Sequence, residues 1–374
     1  MSQRELLVNA KRIVVKVGTS TLSNAAGKLD LYRIEKLVRE LANLANQGKE
    51  LLLVTSGAVG AGVERLGWRE KPKSIADKQA AAAVGQGILM HIYEKLFGEC
   101  GQIVAQVLLT RADCTNRRRF LNSRNTLLGL LRHGVISIIN ENDVVAWEEL
   151  KFGDNDNLSA LVAGMVDADA LIILSDINGV YNDNPNVNPE AKLISLIEEI
   201  TPDIEAVAGG PGTSQGTGGM YTKIQAGKVA MNSGIPMIIS NGAQEGIIGE
   251  ILSGRDIGTL FLPKEQKLHM RKRWIAFGAV SQGVLIVDNG AVKALQDGSS
   301  LLPKGLLEVQ GEFEQGNIVS VTSQAGKELA RGIVNYGQKE LEDIKGAHSH
   351  DIAALLGYKH FDEVIHRDNM VLLV

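Results

Sequence analysis

A chain of 374 residues is long enough to bury a sizeable core, and ordinary domain sizes divide it into two domains or three. Hydrophobic residues make up 44%, charged residues 22%, and the net charge is −4, so no dominant nucleic-acid footprint is expected. Cys100 and Cys114 form neither a metal motif nor a disulfide framework and suit a reducing compartment. The polar start, Met1 to Glu5, lacks the apolar core of a signal peptide, and no apolar run reaches membrane-spanning length. A soluble, cytoplasmic protein that does not enter membranes is expected.

The pattern alternates short apolar runs with helical periodicity. Ile13–Val17 reads as a strand. Over 31–47, Ile34, Leu37, Val38, Leu41, Leu44 and Ala45 recur at helical spacing. Leu51–Val54 reads as a buried strand, 75–97 as an Ala-rich helix, Ile103–Leu109 as a strand, 119–132 as a helix and Val135–Ile139 as a strand. Helix 156–166, strand Leu171–Leu174, helix 222–232 and strand Pro236–Ile239 follow. Continuous apolar strands alternating with helices predict a layered α/β fold with a mainly parallel sheet. Ligands then belong beyond the carboxyl ends of the strands. From about residue 275 the periodicity gives way to short β segments at Gly283–Asp288, Ile318–Val321 and Gly332–Val334, which suggests a small β-barrel. The expected division is 1–262, a polar linker 263–274, and 275–374.

The predicted strand ends carry the chemistry. Lys16-Val17-Gly18-Thr19-Ser20 closes the first strand, and Thr55-Ser56-Gly57 closes the second. Asn140-Glu141-Asn142-Asp143 follows 135–139, and Ser175-Asp176 follows 171–174. Gly153-Asp154-Asn155-Asp156-Asn157 lies between them. Gly216-Thr217-Gly218-Gly219-Met220-Tyr221-Thr222-Lys223 places glycines before a helix and a lysine in its first turn. Glycines let backbone N–H groups approach an anion, a helix N-terminus favours negative charge, and lysine adds a full positive charge. Two such lysine-and-glycine elements suggest one phosphate site clamped from both sides. Taken singly, these residues also read as caps and turns, and Asp156 as the N-cap of its helix. Phosphoryl transfer needs positioning and charge neutralisation more than covalent chemistry. Aspartates could orient the lysines or hold Mg²⁺. There is no GxxxxGK[ST] run, the glycines from Gly57 to Gly62 match GxGxxG only loosely, and no Ser/His/Asp grouping stands out. His348 and His350 read as solvated.

In order and spacing, Val15–Ser20, Val54–Val59, Asn140–Asp143, Phe152–Asp156, Ser175–Tyr181 and Gly216–Lys223 resemble the bacterial glutamate 5-kinases of the amino-acid kinase superfamily, over nearly the whole chain. The resemblance implies ATP-dependent phosphorylation of the side-chain carboxylate of L-glutamate to L-glutamate 5-phosphate, towards proline. It implies Lys16 and Lys223 as catalytic lysines and Asp156 as the aspartate that organises them. Ser56, Asp143 and Asn155 match glutamate-binding positions, with Asp154 in the same loop. Gly18, Ser175, Asp176 and the run Thr217, Gly218, Gly219, Met220, Tyr221, Thr222 and Lys223 match ATP contacts, together with Lys16. Ser175 departs from the Thr of many relatives. Mg²⁺ is implied with ATP. Also implied are a homodimer or homotetramer, inhibition by proline and handover to glutamate-5-phosphate reductase.

In the C-terminal part, Gly290–Leu295, Ser300–Gly305 and Gly311–Phe313 resemble the PUA domain, often found in RNA-modifying enzymes. Residues 271–374 nevertheless hold 11 lysines and arginines against 13 acidic residues, unlike an RNA-binding module. The competing readings are aspartokinase, acetylglutamate kinase, and a nucleic-acid-binding protein with a kinase scaffold. The PUA-like tail disfavours the first two, and retention of both lysines and Asp156 disfavours the third.

Overall fold

The computed structural model describes residues 3–24, 27–70, 72–146, 155–185, 187–207, 219–264, 275 and 281–373. Its contacts separate into two units, Met1–Lys267 and Leu268–Val374.

In the first unit, β-branched and leucine-rich runs form strands, most of them buried on both faces. These are β1 Arg12–Val17, β2 Glu50–Val54, β3 Val104–Leu109, β4 Ile136–Glu141, β5 Ala170–Ser175, β6 Leu196–Ile197, β7 Met237–Asn241 and β8 Thr259–Phe261. They make one eight-stranded sheet in the order β3-β4-β2-β1-β5-β7-β8-β6. Every pairing is parallel except β7 with β8. The parallel pairings follow from helical crossovers between the strands, which also cover the sheet. Val15 and Ile172, facing partners in the β1–β5 register, are fully buried. The helix Leu31–Asn46 starts at Asp30, whose carboxylate accepts from the Arg33 N–H, and buries Ile34, Leu37, Val38 and Leu41 as the spacing predicts.

The structure differs from the sequence reading at element ends. β4 runs on to Glu141, so Asn140 and Glu141 are paired strand residues rather than loop residues. β6 and β8 are two and three residues long, too short to show a period. The chain reaches antiparallel β8 through Gly258, at φ +68, where an added Cβ would lie 2.2 Å from the Ile239 carbonyl oxygen. The helix Ala58–Arg65 was also not anticipated. It crosses the long helix Ile75–Glu99 at glycines: a Cβ on Gly62 would sit 1.8 Å from the Ala81 oxygen, and one on Gly85 1.7 Å from the Ala58 oxygen.

In the second unit, β9 Gly283–Val287, β10 Leu306–Gly311, β11 Ile318–Ser323, β12 Glu328–Ile333 and β13 Met370–Leu372 form a mixed sheet ordered β10-β9-β11-β12-β13. Its core gathers Leu285, Val287, Val319, Val321, Tyr336 and Leu341. Helices Asn289–Gln296, Gln338–Ile344 and Ile352–Leu356 punctuate the strands, where the sequence suggested β segments alone. Each is eight residues or fewer, below the length at which helical periodicity is readable. β12 also starts at Glu328, ahead of the expected Gly332–Val334. His348 and His350 are exposed and stacked on each other, with ring centroids 5.2 Å apart.

Candidate active site

Parallel pairing brings the carboxyl ends of β1, β2, β4, β5 and β7 to one edge of the sheet. β1 delivers Lys16, and the helix Asn155–Met165 packs across β1, β2, β4 and β5 and against the helix Met220–Asn232. The first turn of each helix projects a charged side chain inward, Asp156 from one and Lys223 from the other.

Those three side chains meet. Asp156 Oδ1 lies 2.5 Å from Lys16 Nζ, and Oδ2 lies 3.2 Å from Lys223 Nζ. Thr222 Oγ1 lies 3.0 Å from Asp156 Oδ2 and 2.8 Å from the Gly219 carbonyl oxygen. Asp156 is 0% exposed, Lys16 3% and Lys223 5%. A buried carboxylate is tolerable only when paired, and here it is paired twice. Two ammonium groups gathered on one carboxylate suit the site to a phosphoryl group. Asp156 thus serves as the bridge between the lysines, where the local reading also allowed an N-cap.

Glycines border this cluster. Gly18 caps the short helix Thr19–Leu22 at φ −81, so its backbone does not demand glycine. Its missing side chain instead leaves open the space beside Lys16: a Cβ there would lie 3.7 Å from Nζ. Gly219 caps the helix that carries Met220, Tyr221, Thr222 and Lys223 in its first turn. Ser175 ends β5 and donates from Oγ to Asp176 Oδ1 at 3.0 Å, and its carbonyl accepts from the Gly242 N–H at 2.8 Å. Asp176 is exposed.

One residue from Asp156, Asn155 enters a second polar cluster. Its Nδ2 lies 2.8 Å from the Thr55 carbonyl, 2.9 Å from Ser56 Oγ and 3.0 Å from Asn140 Oδ1. Gly57, at φ +102, turns the chain from Ser56 into the helix Ala58–Arg65. Behind it, Thr55 Oγ1 and Tyr93 Oη share a hydrogen bond at 2.8 Å, and burial pushes the Tyr93 phenol up. Asp143 occupies the turn after β4 and is half-buried. A cleft beside it is lined by Thr110, Asp113, Arg119, Asn142, Val145 and Ala146.

The structure therefore brings Lys16, Asp156, Thr222 and Lys223 into direct contact, and Ser56 with Asn155 beside them. Ser175 and Asp176 contact each other at the end of neighbouring β5. Asp154, Thr217 and Gly218 lie outside the described residues. The sequence reading did not single out Tyr93 or Gln86; for Gln86 the available signal was a polar residue between two glycines in an Ala-rich helix. Among the described residues no group of three His, Cys, Asp or Glu side chains could hold a metal ion.

The sheet and the paired-lysine site define a phosphoryl-transferring α/β enzyme. Residues 11–241 match the amino acid kinase family, and residues 283–356 match the PUA domain. The chain belongs to the amino acid kinase family. It is 54% identical over 377 residues to a glutamate 5-kinase of Moorella thermoacetica, covering 100% of both chains. A glutamate 5-kinase of Caldanaerobacter subterraneus is 55% identical over 363 residues, covering 97% of this chain and 98% of that protein. The chain is accordingly a kinase that groups with the glutamate 5-kinases of that family. A carbamate kinase from Giardia lamblia bound to AMP-PNP shares the fold of the first unit at 15% identity, with a TM-score of 0.51 over 69% of this chain and 100% of that one.

Proposed function

We propose that this kinase transfers the γ-phosphoryl group of ATP to the side-chain carboxylate of L-glutamate, forming L-glutamate 5-phosphate and ADP. The reaction is the first step of proline biosynthesis. The carrying observation is the Lys16–Asp156–Lys223 cluster, one residue from Asn155. The names of the full-length relatives supply the acceptor.

A substrate carboxylate oxygen attacks the γ-phosphorus; that O–P bond forms while the bond to the β-phosphate bridging oxygen breaks. Lys16 and Lys223 neutralise charge on the transferring group, and Asp156 holds the two ammonium groups at fixed separation. A carboxylate is already a nucleophile, so no general base is required. Ser56, Asn155, Asp143 and Asp154 receive glutamate. Gly18, Ser175, Asp176 and the segment Thr217–Lys223 receive ATP. Because Asp156 is committed to the lysines, the donor set fits Mg²⁺ carried on ATP oxygens and water. When bound, that ion supplies further charge neutralisation on the phosphates.

The catalytic domain is assigned to 1–262, the linker to 263–274 and the PUA domain to 275–374, supported by the division of contacts at Lys267. The enzyme acts in the cytoplasm as a homo-oligomer, is inhibited by proline and hands its labile acyl phosphate to glutamate-5-phosphate reductase. No helix of the described residues is long and apolar enough to cross a membrane. The test is ATP consumption with L-glutamate, L-aspartate and N-acetyl-L-glutamate side by side, trapping acyl phosphate with hydroxylamine. Hydroxamate from glutamate alone is expected; preference for either other acceptor refutes the reading.

A further inference from the structure

The amides behind Ser56 form a relay whose polarity is set by the backbone. The Glu141 N–H donates to Asn140 at 2.9 Å, so the receiving atom is the amide oxygen Oδ1. Asn155 faces the Thr55 carbonyl at 2.8 Å, an acceptor with no proton to give, so the facing atom is Nδ2. Two main-chain groups therefore orient both asparagines. Asn140 Nδ2 is left to donate to Gln86 Oε1 at 2.8 Å, and Gln86 must turn Nε2 away.

Two atoms of the relay are left over. Gln86 Nε2 and Asn155 Oδ1 are buried with no hydrogen-bond partner among the described residues. Buried polar groups are seldom left unpaired, and a ligand that supplies the partner removes the penalty. Asn155 Oδ1 is an acceptor next to Ser56 and one residue from the lysine cluster. It can accept a hydrogen bond from an ammonium group but none from a carboxylate. Gln86 is also fixed along its helix, because neighbouring Gly85 crosses the Ala58 backbone without room for a side chain.

We infer that Gln86 is a positioning residue for the amino-acid head of the substrate: through Asn140 it holds Asn155 Oδ1 in place as the acceptor for the substrate α-ammonium. This rests on an α-amino acid being the phosphoryl acceptor. Without the Gln86 oxygen, Asn140 Nδ2 is a buried donor with no acceptor, and that penalty works against the two main-chain contacts and favours a turn of the asparagine pair. An Asn155 N–H₂ facing an ammonium group would then be repulsive.

The test compares kcat/KM for L-glutamate with that for glutarate, the same dicarboxylate without the amino group. Gln86→Met keeps the side-chain length and lacks the amide; Gln86→Glu keeps an oxygen acceptor for Asn140. In Gln86→Met the glutamate-to-glutarate ratio falls about tenfold or more, the scale of one charge-assisted hydrogen bond. The KM for ATP stays within about threefold of wild type, since ATP makes no use of the relay. Gln86→Glu retains the ratio. A Gln86→Met enzyme with the wild-type ratio overturns the proposal, as does a Gln86→Glu enzyme equally defective. So does a fall in glutamate and glutarate turnover by the same factor, the signature of lost packing alone. Wild-type turnover of glutamate reports separately on the substrate reading; if another amino acid is preferred, that acceptor and its deamino analogue replace the pair.

Discussion

Replacing Asp156 with Asn tests the organisation of the site most directly. The substitution preserves shape and removes one negative charge that is 0% exposed and lies 2.5 Å and 3.2 Å from two lysine ammonium groups. At an effective dielectric constant of about 20, each contact contributes roughly 5–7 kcal/mol of gross Coulomb attraction. Desolvation of the three charges cancels much of that. Stranding a buried charge by removing its partner nevertheless costs about 3–5 kcal/mol. At roughly 2–4 °C per kcal/mol for a domain of this size, the nucleotide-free variant should melt on the order of 10 °C below wild type. Repulsion between the lysines also spoils the pre-organised charge, so kcat should fall by about 10²-fold or more. ATP brings negative phosphates to the stranded ammonium groups and should therefore raise the melting temperature of the variant more than that of wild type. Differential scanning calorimetry with and without ATP, and hydroxamate formation under saturating substrates, read the two effects. A variant that melts with wild type, or whose kcat is within a factor of about three, refutes the idea that Asp156 holds the lysines for catalysis.

Four further outcomes follow from the same geometry. Lys223→Ala should lower kcat about 10²-fold while leaving the glutamate KM nearly unchanged, because its charge acts on the transferring group; an unchanged kcat in initial-rate assays contradicts that role. Gly62→Ala puts a Cβ 1.8 Å from the Ala81 oxygen, so overpacking of about 1–3 kcal/mol or more should appear as a lower melting temperature by circular dichroism, with a raised glutamate KM as Ser56 shifts. Native values for both would show that the helix crossing yields freely. Glu40 accepts from the Gly249 N–H, but burial outweighs that bond and raises its pKa, with Glu250 and Glu245 adding to the rise. A raised carboxylate pKa means that the native state binds the proton more tightly than the unfolded chain. Its stabilising contribution is complete below the ordinary Glu pKa and is lost as pH rises through the native value. Glu40→Gln should therefore gain on wild type as melting is followed from pH 4 to pH 7; a gap that widens the other way rejects the sign. A chain ending at Lys267 retains every described residue proposed for catalysis and should still phosphorylate glutamate; a folded truncation that binds ATP without turnover assigns part of the site to the C-terminal unit.

The alternation of apolar runs and helical spacing was enough to define a mainly parallel α/β sheet, because burial on both faces leaves strands such as Leu51–Val54 without polar positions. Lys16, Gly18 and Lys223 stood out as candidates for an anion site, since lysine beside glycine at a strand end or helix start suits a phosphate, although each taken singly also reads as a cap or turn. Periodicity reports only the local pattern of burial. It could not show that β5 lies beside β1, nor that helices starting at Asn155 and Met220 converge on one carboxylate. Strand order and helix packing decided that, and with it whether Asp156 caps a helix or bridges two lysines. Short elements such as β6, β8 and the helices of the second unit carry too few residues to reveal a period. Gln86 looked like one more position on an Ala-rich helix; its hydrogen bond to Asn140 exists only because a glycine crossing sets that helix against the segment after β2. Residue chemistry was written locally, whereas the pairing of charges and amides came from long-range packing.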